Sequence, residues 1–306
     1  MIHTLYAREL EVKAGQSGSF TMNIDACNLL NPQPPSPVPS FMMQMPSKPK
    51  KVHISSMQIV QSIQTRLTAS DVLSITGTAT ASEGKGMGIA VMTYQHTLSP
   101  DQMISLSTLC GSRNQVVCEV VQSLTSDCQG AVSMGYGNQG FETGVKIAKQ
   151  FKENLVGSLH LSLEKVIECT IETEYVTPQS KLSTSLFVGH DLGGSVSYLH
   201  TLHKELGVRG KVHVKASLSD LMIETMLGKD LSSFSKVNMN VGLGFSGVTL
   251  KFKYQRGNMN FVLPILLSKN LLDVKSIAVA YGVSAVTAGL SALYYKSFMA
   301  KNHQAY

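Results

Sequence analysis

The chain has 306 residues, of which 43% are hydrophobic and only 15% charged, against roughly 25% charged in an ordinary soluble domain. Ser, Thr, Gly and Asn fill that shortfall, a mixture that suits strands with one apolar and one uncharged polar face and suits a helical enzyme poorly. The net charge of +6 comes from scattered lysines. The one tight group, Lys48, Lys50 and Lys51, sits among prolines and is too short for a nucleic-acid patch, so no nucleic-acid partner is expected.

In chain order, residues 1–18 read as an N-terminal extension. They lack an apolar core of signal-peptide length, and Glu9 and Glu11 stand where a mitochondrial transit peptide avoids acid. From residue 19 to residue 263 the dominant signal is period-two alternation. Phe20, Met22 and Ile24 alternate with Thr21, Asn23 and Asp25, and Leu73, Ile75 and Ala79 with Ser74, Thr76 and Thr80. The rhythm returns in Ile167–Tyr175, in Val208–Lys215 and in Lys236–Phe245. Turn signals separate the runs at Ser82–Gly88, Gly137–Gly140, Thr177–Ser180, His190–Gly194 and Gly228–Asp230. This spacing predicts an all-β fold, a large antiparallel barrel-like meander of roughly 14–17 strands. A sheet of that size must close, pair or cover its edges, and both a barrel with its apolar face outward and a sandwich fit the alternation.

Two segments break the rhythm. Residues 31–50 (NPQPPSPVPSFMMQMPSKPK) are proline-rich and predict an exposed, extended loop with a sticky FMMQM cluster. The C-terminal part, 264–306, holds an uncharged run from Ser276 to Tyr295 that approaches the roughly 20 residues needed to span a bilayer as a helix. Ile277, Val279, Tyr281, Gly282, Val283, Val286, Gly289, Leu290 and Leu293 form its body. Tyr294 and Tyr295 stand at one end as interfacial anchors. Gly282, Ser284, Ala285, Ala288, Gly289 and Ala292 supply a small-residue stripe suited to packing against a helix or a barrel wall. The expectation is a C-terminal apolar α-helix, membrane-associated and transmembrane.

Candidate chemistry is sparse. Five cysteines (Cys27, Cys110, Cys118, Cys128, Cys169) form no CxxC pair, which argues against a disulfide framework or a zinc site. They read as small apolar groups on strands. Gly135, Gly137 and Gly140 match the dinucleotide fingerprint GxGxxG, but the alternation that follows them reads as a hairpin, and no βαβ units follow. His200, His203 and Glu205 have neither HExxH nor closed-zinc spacing. Glu168, Glu172 and Glu174 on one strand, and Lys211, His213 and Lys215 on another, are the candidate lumen-facing residues that would tune ion passage. The bland alternative is a solvated or mutually paired polar face. No catalytic residue, cofactor, metal or small-molecule substrate is expected, and membrane lipid is the expected surrounding.

Three stretches resemble the family of DnaJ homolog subfamily C member 11, in the region between its J-domain and its C-terminal coiled coil. They are Ser19–Leu30 (SFTMNIDACNLL), Met57–Gly88 (MQIVQSIQTRLTASDVLSITGTATASEGKGMG) and Phe261–Leu272 (FVLPILLSKNLL) followed by the apolar run. The resemblance implies a non-enzymatic β-barrel-like scaffold of the mitochondrial outer membrane. Its implied partners are the MICOS and sorting and assembly machineries of cristae organisation. No His-Pro-Asp tripeptide occurs, so stimulation of an Hsp70 ATPase is not carried over, and the coiled coil has no counterpart here. A divergent short member, an isoform and a fragment all fit. The sorting signal that mitochondrial barrels carry in their last strand is matched in part by Gly247, Leu250 and Phe252, with Phe245 at its polar position. The rival readings are an outer-membrane pore similar to the voltage-dependent anion channel and a soluble β-sandwich interaction module.

Overall fold

The computed structural model describes residues 15–30, 52–270 apart from turn positions 83, 113, 139, 164–165 and 205–206, and 273–287. The proline-rich segment 31–50 lies outside the described residues. The strands are β1 (Gln16–Asp25), β2 (His53–Arg66), β3 (Asp71–Ser82), β4 (Lys85–Ser99), β5 (Gln102–Gly111) and β6 (Gln115–Thr125). They continue with β7 (Cys128–Gly137), β8 (Gly140–Lys152), β9 (Leu155–Leu163), β10 (Ile167–Val176), β11 (Ser180–Val188) and β12 (Gly193–His203). The set ends with β13 (Val208–Ser217), β14 (Leu221–Ser232), β15 (Ser235–Gly244), β16 (Gly247–Arg256) and β17 (Met259–Ser268). A short helix α1 (Cys27–Leu30) follows β1, and a helix α2 covers 274–287.

Every strand pairs antiparallel with the next, and β1 closes the ring by pairing in parallel with β17. The parallel seam is a consequence of the odd strand number, because an up-and-down meander of 17 strands brings its first and last strands round in the same direction. Closure removes every free edge. Phe20 stacks on Phe261 across the seam with ring centroids 5.6 Å apart.

The register fixes the dimensions. Partners followed once around the ring return to β2 displaced by about 18 residues, which for this strand number tilts the strands by about 36° and sets the backbone cylinder at about 32 Å across. A ten-residue strand at that tilt rises about 27 Å, close to the apolar height of a bilayer-spanning barrel.

From β2 to β17, hairpins of two to four residues join the strands. Pro100 and Asp101 turn β4 into β5, and Gly257, with φ +55°, helps turn β16 into β17. Gly135, Gly137 and Gly140 belong to the β7–β8 hairpin, where Gly140 has φ +113°. The turn expected at Gly228–Asp230 is instead strand: Gly228 stands inside β14 opposite Asn238. A Cβ there would lie 2.3 Å from the Asn238 Oδ1, so the glycine leaves that side chain its room. The sorting-signal residues Leu250 and Phe252 lie in β16 rather than in the last strand, and Gly247 follows the β15–β16 turn.

The transmembrane helix is overturned. No helix among the described residues is long and apolar enough to cross a membrane. The described span of α2 rises about 21 Å, short of a hydrocarbon core of about 30 Å, and α2 lies on the barrel wall. Asp273 caps it, its Oδ1 accepting from the Lys275 and Ser276 amides at 3.2 and 3.4 Å. Ser276 donates to the Leu267 carbonyl at 3.4 Å, and Ala280 packs with Met239, Val241, Val248, Leu250 and Leu267. Thr225 reaches the Tyr281 hydroxyl at 3.3 Å. Ile277 faces the wall, whereas Val279, Tyr281, Gly282, Val283 and Val286 are exposed. Gly289, Leu290, Leu293, Tyr294 and Tyr295 lie outside the described residues. Of the small-residue stripe, Gly282 and Ala285 are exposed and Ser284 is half-buried, while Ala288, Gly289 and Ala292 lie outside the described residues; Ser276, Ile277 and Ala280 make the contact. Val248 is fully buried in this contact.

Candidate pore lining

Alternation gives each strand two faces, and curvature tells them apart. On a closed cylinder side chains spread on the convex side and crowd on the concave side. The apolar positions are the spread ones: Ile59, Ile75, Val132, Ile171, Val196 and Val212 are all exposed. The polar positions are crowded and bond across strands. Thr76 donates to Ser62 at 2.8 Å, Thr93 and Ser107 lie 2.9 Å apart, Ser185 and Ser195 2.8 Å apart, and Asn23 donates to Ser56 at 2.6 Å. Polar side chains therefore line the interior and apolar ones form the outer wall.

α2 consequently lies on the outer wall, since Val241, Leu250 and Thr225 share the face of exposed Val212 through the ladder Val212–Thr225–Val241–Leu250. Cys110, Cys118, Cys128 and Cys169 also point outward by register, and all are free thiols. Cys27 opens α1 instead, where burial and then the Asp25 carboxylate push its thiol up to about 11.

Charge is unevenly spread around the interior. The β1–β5 side is rich in Ser, Thr and Gln. Glu119 and Glu142 begin an acidic side on β6 and β8; Glu119 accepts from Ser105 at 3.4 Å, and Glu142 from Gln115. Glu168, Glu172 and Glu174 extend it on β10, all on the inward face by register with Ser162, Ser158 and Val156. From β11 to β16 the inward positions carry Lys181, Arg209, Lys211, Lys215, Lys236, Lys251 and Lys253 against Glu224 and Asp230, so this side is basic; Lys85 on β4 and Lys146 on β8 also face inward and leave cations in excess around the interior.

The six residues singled out from sequence share this inner face, and four of them meet. Glu172, Glu174, Lys211 and His213 line one cleft of about 400 Å³, floored by serines of β11 and β12. Glu174 is paired with Lys181 at 2.6 Å, and Lys215 stands over the Phe187 ring at 5.7 Å. Glu168 lies farther along β10 and does not join the cleft.

Sequence reasoning missed a second constellation. Glu224 accepts from Asn240 at 2.7 Å and from Lys251 at 3.2 Å, bridging β14 to β16 across the concave wall, and Arg209 pairs with Asp230. Glu224 is hidden in the run LMIETMLG, where Met222 and Met226 share its inward face and erase the alternation. Alternation in β15 and β16, with Asn240 and Lys251 inward, was the available signal. His200 stacks on Tyr198, Glu205 lies outside the described residues, and no group of three His, Cys, Asp or Glu among the described residues comes together to hold a metal.

No protein-family model matches the chain. It is 24% identical over 297 residues to DnaJ homolog subfamily C member 11 of Bos taurus, covering 94% of this chain and 51% of that protein. The Mus musculus protein of the same name is 22% identical over 274 residues, covering 87% and 48%. The chain thus spans about half the length of the curated relatives it matches. Among solved structures, a triple mutant of the Rhodopseudomonas blastica porin superposes with a TM-score of 0.51 at 10% identity, covering 69% of this chain and 92% of that one. A second mutant of that porin gives 0.51 at 9% identity, with the same coverage. These likenesses establish a shared barrel fold.

Proposed function

We propose that the chain spans a membrane as a closed barrel and passes small hydrophilic solutes, with a preference for anions, through a water-filled interior. The observation that carries this reading is the inversion of polarity around a closed ring. Apolar side chains stand exposed on the convex wall while charged ones gather inside, the reverse of a soluble barrel and the arrangement that lipid demands. Exposed aromatics flank the outer band at both rims: Phe151, Tyr175 and Phe234 where β1 begins, Tyr136, Phe141 and Phe245 where it ends. These are the girdles of a barrel seated between two headgroup layers.

The odd strand number supports a mitochondrial outer membrane, because bacterial single-chain barrels have even numbers whereas the voltage-dependent anion channel of mitochondria is odd. The distant similarity to DnaJ homolog subfamily C member 11 over 94% of the chain supports the same placement. It also favours a second reading, a membrane scaffold that contacts the cristae-organising and sorting machineries.

Purified protein reconstituted in planar bilayers tests the first reading. Stepwise conductance with a reversal potential of anion-preferring sign is the expected result. A protein that is folded by circular dichroism, inserts, and carries no current excludes conduction and leaves the scaffold.

A further inference from the structure

The outer wall is not symmetric about its mid-height. Register decides which charged side chains of the strands face outward, and among the described residues these are Asp71, His96, Lys149, His200, Lys229 and Arg256. Lys152 and His203 join them, pairing past bulges with the outward Leu155 and Val208. All of them stand in the half of the wall where β1 begins. Near the opposite rim the strands carry none, and the two lysines beyond β17, Lys269 and Lys275, stand beside Asp25 and Asp273.

The one carboxylate in this set is taken up by its neighbours. Thr68 donates to Asp71, and the Tyr94 hydroxyl and His96 Nδ1 each lie 2.6 Å from it. The belt therefore displays cations. On the β4–β9 side the turns at this rim add Asp101, Asp127 and Glu153, which offset Lys149 and Lys152. On the β14–β16 side the turns are Ser233–Phe234 and Gly257–Asn258 and add no acid, while Asp230 faces inward and pairs with Arg209.

Two cations flank the start of β15 on that side. Arg256 stands opposite Ser235, and Lys229 stands opposite Val237, one two-residue step farther from the rim. Sheet spacing puts their Cα atoms about 12 Å apart, with the outward Ser235 between them. Lys229 has Val208 and Val237 as its cross-strand neighbours, so in lipid its stem lies along the apolar wall and its ammonium reaches toward the headgroups. Lysine and arginine held at headgroup level attract anionic lipid.

We propose that the outer rim around Lys229, Ser235 and Arg256 binds the headgroup of an anionic phospholipid, the two cations taking the phosphate and the serine a headgroup hydroxyl. The proposal rests on the reading that the barrel spans a membrane, and it assigns the rim where β1 begins to the more anionic leaflet.

The chain has no tryptophan, so Phe234→Trp and Phe245→Trp each place a single reporter at one end of β15. Both phenylalanines are 61% exposed, which makes the two positions a matched pair. The full chain is reconstituted in phosphatidylcholine vesicles with a minority of phosphatidylglycerol, and either lipid is supplied brominated to quench the reporter. At position 234 phosphatidylglycerol should quench about fivefold more per molecule than phosphatidylcholine, and at position 245 the two should quench alike. Lys229→Gln with Arg256→Gln should bring the ratio at 234 down to that at 245, whereas Lys229→Arg with Arg256→Lys should keep it. Equal quenching by the two lipids at 234 overturns the proposal and leaves this face to an acidic protein surface. An enrichment that survives the glutamine pair overturns it as well. Absence of quenching by either lipid at both positions would refute the membrane span itself.

Discussion

Arginine in place of Ile171 is expected to destabilise the membrane-inserted barrel strongly, and arginine in place of Val132 to do the same. Both residues stand fifth in ten-residue strands, at mid-height of the wall. They point outward and are already 47% and 44% exposed. In a soluble barrel a charge at such a position meets water, and the change stays within about 0.5 kcal/mol. At the midplane of a bilayer the same arginine costs about 2–4 kcal/mol, a large share of the stability of a single domain. Thr170→Arg is the internal control, because Thr170 neighbours Ile171 but faces the interior by its pairing with His160 and Phe187. Urea titration of protein folded into liposomes should separate the two outward variants from this control by the stated amount. Equal stability of all three would place the apolar wall in water.

Reversing the sign of Lys211 and Lys215 together is expected to turn the pore from anion-preferring to cation-preferring. Both project inward from β13 on the basic side of the wall, and neither ammonium is neutralised by an ion pair. Lys211→Glu with Lys215→Glu replaces two positive charges by two negative ones beside Glu172, Glu174 and Glu224. The chloride-to-potassium permeability ratio should fall on the order of fivefold at 0.1 M salt, where fields reach about 10 Å, and much less at 1 M, where they reach about 3 Å. A ratio that does not move in either salt would mean that solutes do not pass along this wall.

Much of the architecture is legible in the residues themselves, and the gaps have identifiable physical causes. A strand's side-chain period is two, so Ile167–Tyr175 and Val208–Lys215 separate an inner from an outer face residue by residue. What alternation omits is partnership. Nothing in those two runs says that Glu172 and Lys211 share a cleft, because that follows from the intervening β11 and β12 and their register. Closure is likewise a property of the ring: Phe20 meets Phe261 only once every hairpin between them has formed. Gly228 misleads because a glycine that makes room for Asn238 looks the same as one that makes a turn. The C-terminal run misleads for a different reason. Hydropathy counts apolar residues but not the surface that receives them, and here Ser276, Ile277 and Ala280 meet an apolar patch of the outer wall.

The central claim is that lipid surrounds the barrel and water fills it, and adjacent positions on one strand test it most directly. Single cysteines at Ile171, Glu172, Thr173 and Glu174, in a background where the five native cysteines are serine, would be labelled in liposomes with a membrane-impermeant maleimide applied to both sides. Strict alternation is expected, with Glu172 and Glu174 positions labelled and Ile171 and Thr173 positions protected until detergent is added. Comparable labelling of all four positions before detergent would contradict it.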